Sequence, residues 1–446
     1  MEDVVIKVAR LLSAAGGRAL LVGGCVRDQL LGFEPKDFDV EVYGLGHDDV
    51  IKALSGSFSL NLVGASFGVI KLHHYDIDVA LPRRETKLGL GHKAFSAQFD
   101  SRLTIKEAAA RRDFTINAIY KDPLTGEIID PWQGRNDLEK KILRHVSGHF
   151  AEDPLRVLRA MQFIARFDLE VDESTIGICS LMTSEDLPKE RLFEEWVKLL
   201  TKGRSISKGL EFLRQVGWLR YYPELEALVG CEQDPQWHPE GDVWCHTKKS
   251  LDAYARMRSS NADQQEEIIV ALGVLCHDFG KPATTFYDSD KKHIRSPGHD
   301  EAGLGPTLSF LSRLTDEERI LKEVPALVRL HMRPFALWQA KASDNAIRRL
   351  AAEVKRIDRL VKVAAADAGA TDQMPESCRW LLESAERLKI ADSAPKPILM
   401  GRNLIELGLK PGVKFGEILR MAYEAQLDGK YSNLDEAVVF AKNFLL

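Results

Sequence analysis

Asp37-Phe38-Asp39-Val40-Glu41-Val42-Tyr43 alternates acidic and apolar residues with the period of a β-strand, so Asp37 and Asp39 point to one face. Two carboxylates about 7 Å apart along a strand can share hard divalent cations, and Mg²⁺ held in this way keeps open positions for substrate phosphates. In a two-metal scheme one ion activates an attacking hydroxyl while the other steadies a leaving pyrophosphate. A half-exposed strand with solvated acids is the alternative reading of the same alternation.

Upstream, Ala19-Leu20-Leu21-Val22 reads as a short buried strand running into Gly23-Gly24-Cys25-Val26-Arg27-Asp28 and the helical Gln29-Leu30-Leu31. Glycines between a strand and a helix let the backbone approach a phosphate, which makes Gly24 and Arg27 candidate triphosphate contacts. A plain tight turn is the other reading. Downstream, Phe67-Gly68-Val69-Ile70-Lys71-Leu72 and Tyr75-Asp76-Ile77-Asp78-Val79-Ala80-Leu81 predict a hairpin. Its Asp78 either adds a third carboxylate to the site or sits on a solvated strand face.

Two later segments carry charge in a useful pattern. In Arg111-Arg112-Asp113-Phe114-Thr115-Ile116-Asn117-Ala118, Asp113 can cap a helix bearing Phe114, Ile116 and Ala118, leaving Arg111 and Arg112 free to meet phosphate. Glu152-Asp153-Pro154-Leu155-Arg156-Val157-Leu158-Arg159 has an acidic N-cap and a proline at the first helical position, with Leu155, Leu158 and Met161 at helical spacing. Asp153 and Arg156 then lie one turn apart. A carboxylate accepts from an exocyclic amine and a guanidinium donates to a ring acceptor, so the pair suits cytosine and adenine. Uracil and guanine place a carbonyl where the amine would be. A cap and a solvated arginine are the structural alternative.

Together, the glycine turn, the Asp37-Phe38-Asp39 pair and the Arg111 to Ala118 segment resemble the class II tRNA nucleotidyltransferase and bacterial poly(A) polymerase family. The resemblance continues through Asp130-Pro131-Trp132-Gln133-Gly134 and the Glu152 to Arg159 helix start. It implies an α+β chain: a polymerase β-like nucleotidyltransferase head with a mixed sheet, followed by mainly helical neck, body, HD and tail regions. The expected boundaries are 1–145 for the head, 146–235 for neck and body, 236–375 for the HD region and 376–446 for the tail. Catalysis falls to Asp37, Asp39 and Asp78, with Mg²⁺ on Asp37 and Asp39. Nucleotide binding falls to Gly23, Gly24, Arg27, Arg111, Arg112, Asp113, Asn117, Asp153, Arg156 and Arg159. In the family, residues matching Asp153 and Arg156 read the incoming base, and those matching Arg112 and Arg159 contact the nucleotide. Gln162 stands where many relatives carry a further arginine.

Arg83-Arg84-Glu85-Thr86-Lys87 with Gly-rich Leu88 to His92 resembles the flexible loop of members that add the terminal A. His277-Asp278 ends the apolar run Ile268 to Cys276 and, with His246 and Asp367, resembles the HD phosphohydrolase ligand set. Imidazole and carboxylate ligands suit a divalent metal, of unspecified identity here, that can generate hydroxide to attack a phosphoester. His299 and His331 either line the same pocket or are ordinary structural histidines. Met400 to Ile405 and Lys410 to Gly416 frame a turn that resembles the family's tail, with Asn403 where aspartate is commoner.

Composition bounds these readings. A chain of 446 residues exceeds one hydrophobic core, and 45% apolar with 28% charged residues is ordinary for a globular protein. A net charge of -5 argues against coating nucleic acid by bulk charge. Six scattered cysteines fit neither a disulfide framework nor a zinc ribbon. The N-terminus lacks a basic, then apolar, leader pattern and no apolar run would span a bilayer, so a cytoplasmic location away from membranes is expected. The leading expectation is template-independent addition of C and A, from CTP and ATP, to the tRNA acceptor end. An A-adding enzyme and a poly(A) polymerase share the chemistry. A metal-dependent phosphohydrolase with an RNA-binding head is the rival from another class, and a non-catalytic RNA-binding role is a third.

Overall fold

A computed structural model describes the chain apart from residues 63–67, 88–94, 101, 185–186, 260–262, 370–372 and 444–446; the side chains of 84–98 also lie outside the description. Two compact units divide it, Met1–Tyr221 and Tyr222–Leu446. No helix among the described residues is long and apolar enough to cross a membrane.

The first unit is built on a seven-stranded sheet. Its strands are β1 (Arg18–Val22), β2 (Phe38–Tyr43), β3 (Leu60–Asn61), β4 (Val69–Leu72) and β5 (Ile77–Ala80), with Tyr120–Lys121 and Ile128–Ile129 extending the far edge. The spatial order puts β5 beside β2 and β2 beside β1, and the β2–β5 pair is parallel where its neighbours are antiparallel. The sheet is therefore mixed, as the resemblance implied. Alternation explains its two faces. Phe38, Val40 and Val42 of β2 join Ile77 and Val79 of β5 under helices α1 (Glu2–Ala14) and α3 (His47–Ser55), whose Val5, Val8, Leu12, Val50 and Leu54 are buried there. Each such side chain contributes roughly 1.5–3 kcal/mol. Between β1 and β2 runs α2 (Gly24–Leu30). The opposite face leaves Asp39, Glu41 and Tyr43 looking away from that core.

Two expectations are corrected in this unit. Arg83–Lys87 is not a loop: its backbone forms a strand paired antiparallel with Phe95–Phe99, from Arg83↔Phe99 to Lys87↔Phe95. The gly-rich stretch at Leu88 to His92 falls outside the described residues. The segment after Asp113 does not form an α-helix either. It makes one 3₁₀ turn, Thr115–Asn117, because Tyr120–Lys121 is already recruited as a strand beside β1. Phe114, Ile116 and Ala118 are buried all the same.

The helix at Leu155–Phe167, α4, packs against Lys189–Lys202 and Ile206–Gln215. Gly209 is needed there, since a Cβ would stand 2.6 Å from the Met161 carbonyl.

The second unit is helical. Gln264–Cys276 is apolar on every side from Ile268 onward, which marks a helix enclosed by others. It is surrounded by Val243–Met257, Glu318–Leu330 and Ile357–Asp367. Gly273 permits the approach, with its would-be Cβ 3.1 Å from Val363 and 3.2 Å from Leu327. The last helices, Gly401–Glu406, Val413–Leu427 and Leu434–Lys442, share a small core of Leu404, Ile418, Ala422 and Tyr431. Asn403 starts the first of them: its Oδ1 accepts from the Met400 amide at 2.9 Å, a bond aspartate would make equally well. All six cysteines are free.

Candidate active site and candidate metal centre

Parallel pairing sets Asp39 directly beside Asp78. They line a cleft of about 210 Å³ with Glu41, Val22, Val69 and Arg112. Asp37 lies one residue before β2 and is exposed. Partial burial and the like charges of Asp37 and Asp78 raise the Asp39 pKa, against the pull of Arg112. Asp39 and Asp78, side by side on the cleft, could hold a divalent cation, which would remove that repulsion. Lys71 supplies one partner, 2.9 Å from Asp78. Gly23, at φ 81°, comes close to the same acids: a Cβ there would stand 3.3 Å from Asp39 Oδ2 and 3.3 Å from Arg112 Nη1.

The arginines expected to be free are engaged. Arg112 lies 3.0 Å from Glu41 and over the Tyr120 ring, although its Nε is buried without a hydrogen-bond partner. Arg111 pairs with Glu152 at 3.0 Å. Arg27 is buried, stacks on Phe163 and Phe167 of α4, and donates to Asn117 Oδ1 at 2.6 Å and to Asp28. The reason is tertiary: Glu41 and Glu152 reach these cations only once the sheet and α4 are in place.

A continuous polar chain links the turn to α4. Asn117 donates to Asp113 at 3.0 Å, and Arg159 reaches the other Asp113 oxygen at 2.6 Å. Burial would raise the Asp113 pKa, but Arg159, Asn117 and Arg156 hold it at about 2.

Asp153 sits at the start of α4, accepting from the Leu155 amide at 3.1 Å and pairing with Arg191 at 2.8 Å. Arg156 donates to the carbonyls of His149 and Arg111, at 2.8 and 2.7 Å. Both therefore have fixed orientations with hydrogen-bonding capacity left over: a carboxylate has about four acceptor sites and a guanidinium five donors. Gln162 is buried and accepts from Arg166, one turn on, at 3.3 Å.

In the helical unit, His246, His277, Asp278 and Asp367 converge from three helices and their ends. His246 Nε2 is 2.9 Å from Asp367 and 3.3 Å from His277 Nε2, and His277 Nε2 is 3.2 Å from Asp278 Oδ2. Burial would lower the His277 pKa, yet Asp278 and Asp367 raise it to about 10. Asp278 Oδ2 is buried without a hydrogen-bond partner, although the Lys281 ammonium is 2.8 Å away. Histidine nitrogens and carboxylate oxygens around such an atom fit a divalent metal. His299 and His331 meet the group from the other side, 3.3 Å apart at Nε2, and burial with the charge of His277 pushes the His331 pKa down to about 4. The sequence reading missed Glu240, which orients His246 through a 2.7 Å bond to Nδ1 and is held at about 2 despite burial by its backbone and histidine contacts. His238-Pro239-Glu240 just ahead of the His246 helix was the available signal.

Comparison with known proteins follows these halves. Residues 19–144 match the Poly A polymerase head domain. A curated relative from Mannheimia succiniciproducens, the "Multifunctional CCA protein", is 36% identical over 302 residues, covering 66% of this chain and 69% of the relative. Among solved structures, the Bacillus stearothermophilus CCA-adding enzyme in complex with CTP is similar at a TM-score of 0.67 and 21% identity, over 98% of this chain and 96% of that one. The Thermotoga maritima CCA-adding enzyme complexed with tRNA is similar at a TM-score of 0.59 and 20% identity, over 100% of this chain and 95% of that one.

Proposed function

The chain belongs to the class II CCA-adding enzyme family, and on that footing we propose that it adds C and A from CTP and ATP to the tRNA 3′ end without a template. The observation that carries the reading is the registered pairing of Asp39 with Asp78 on a cleft shared with Arg112 and bordered by Gly23.

Asp37 and Asp39, with Asp78 in support, would hold Mg²⁺. When bound, the cations supply the positive charge that favours a nucleophilic 3′-oxygen and a departing pyrophosphate. The rest is the work of side chains. The tRNA 3′-hydroxyl attacks the α-phosphate in line; the bond to the β-phosphate breaks and pyrophosphate leaves. Arg112, on the cleft wall, supplies positive charge toward phosphate, while Gly23 and Gly24 leave the backbone open to it. Asp153 accepts the amine of cytosine or adenine on its remaining lone pairs while Arg191, 2.8 Å away, holds it in place. Arg156 donates to the neighbouring ring nitrogen. Asp113 aligns Arg159 along the nucleotide.

The test resolves products to one nucleotide on transcripts lacking CCA, or ending in C or CC, with CTP and ATP separately and together. Three additions to the bare end are expected, with Asp39→Ala slowing them by at least about 10³-fold, the equivalent of losing about 4 kcal/mol of transition-state stabilisation. Addition to the CC end alone would mean an A-adding enzyme, and long A tracts on any RNA would mean a poly(A) polymerase.

The convergence of His246, His277, Asp278 and Asp367 favours a second reading for the helical unit. It is a metal-dependent phosphohydrolase, in which a bound divalent metal would polarise a phosphoester and activate water. His246 and His277 would present Nε2 to such a metal, because Nδ1 of each is tied, to Glu240 and the Val274 carbonyl respectively.

A further inference from the structure

The acids lining the cleft, among the described residues, are Asp39, Asp78 and Glu41. The first two sit side by side across β2 and β5, and Glu41 is set differently. It follows Asp39 by two residues on β2, yet it is buried where Asp39 is exposed. A buried carboxylate is costly unless its oxygens are met. Here Oε2 accepts from Arg112 Nη2 at 3.0 Å, while Oε1 accepts from the Tyr43 hydroxyl and, at 3.4 Å, from the Tyr120 hydroxyl. With both oxygens taken in this way, Glu41 is not a further cation ligand.

What Glu41 holds is Arg112. The guanidinium is tied at Nη2 by Glu41 and lies against the Tyr120 ring, 5.6 Å from Cζ to the centroid. Its Nη1 is then at the glycine turn: a Cβ on Gly23 would stand 3.3 Å from Nη1 and 3.3 Å from Asp39 Oδ2. Two carboxylates thus stand within reach of one guanidinium. Arg112 is paired with Glu41, and it forms no ion pair with Asp39 among the described residues. The choice matters, because an opposite-charge contact shifts a population roughly five-fold in water and several hundred-fold near a protein surface.

We infer that Glu41 is a positioning residue: it keeps Arg112 off Asp39, so that the Asp39 oxygens stay free for a divalent cation while Nη1 stays at the glycine turn, where phosphate enters. This rests on the nucleotide-adding reading and deepens it. A guanidinium released from Glu41 turns to the next carboxylate, Asp39, and competes there with the cation. Glu41 thereby governs metal affinity without touching the metal.

Full-length protein is stripped with chelator and titrated with Mn²⁺, the free ion being followed by its EPR signal. The binding component that Asp39→Ala lacks belongs to the head. In Glu41→Gln this component should weaken by about tenfold or more. In the double variant Glu41→Gln with Arg112→Gln it should return to the parental affinity or tighter, since the competing cation is gone. Glu41→Asp, which keeps the charge on a shorter stem, should fall between the parent and Glu41→Gln. Parental affinity in Glu41→Gln overturns the inference. So does a weakening that Arg112→Gln does not relieve, which is what a merely structural role would give. If Glu41→Gln fails to fold by circular dichroism, Glu41→Asp with and without Arg112→Gln decides in its place. An Asp39→Ala titration that matches the parent overturns the nucleotide-adding reading as well, since Asp39 would then hold no metal.

Discussion

Asp113 is a buried carboxylate whose charge is met from three directions: the Phe114 amide, Asn117 and Arg159. Its pKa falls from 3.8 to about 2 on folding, so it stabilises the protein above pH 4 and loses that contribution as pH drops through about 2. The shift corresponds to about 2 kcal/mol. Asp113→Asn should therefore be less stable than the parent by at least about 2 kcal/mol at pH 7, with the gap narrowing from pH 5 toward pH 2. Urea unfolding of both proteins across that range is the measurement; a constant gap would mean that the carboxylate's charge is not what matters. Residue chemistry was legible where it is local. Alternation predicts one face for Asp37 and Asp39 because it is a property of adjacent residues, and in the structure Asp39 lies in β2 with Asp37 one residue before it. Arg27, Arg111 and Arg112 look free in one dimension because Asn117, Glu152 and Glu41, which occupy them, are brought in by folding. The same holds for His299 and His331, whose partner is a carboxylate at the end of a different helix.

At the scale of elements, the hairpin expected around Asp78 and the helix beginning near Asp153 formed where alternation and capping placed them. Arg83–Lys87 was harder, since its charged, polar residues carry no apolar alternation; its strand character comes from its partner, Phe95–Phe99. The short turn after Asp113 shows the converse. Its apolar spacing suits a helix, but the neighbouring strand and the close seat of Gly134, whose Cβ would stand 2.0 Å from the Thr115 carbonyl, leave room for one turn. Deleting Leu88 to His92 should leave addition of the two C residues intact and stop the product before A. Sequencing-gel analysis with CTP and ATP together checks this. Full CCA addition by the deletion variant would remove the stretch from any role in A addition.

At the scale of the molecule, the two candidate sites fall in different compact units. Asp39→Ala should abolish nucleotide addition yet spare metal-dependent phosphate release from a model phosphomonoester, and Asp278→Ala should do the reverse. Assaying both reactions on both variants checks the division; loss of both by either single change would mean one shared centre. Fold class was legible through the family resemblance carried by the glycine turn, the Asp37-Phe38-Asp39 pair and the Arg111 to Ala118 segment. The parallel seam between β2 and β5 has one more consequence, in time. The chain reaches β5 only after passing through α3 and β4, so Asp78 can join Asp39 only through a crossover, and such non-local closures are slow. On dilution from denaturant, the far-ultraviolet signal of the helices should return first, and the capacity to extend RNA should return later, at the pace of that one closure.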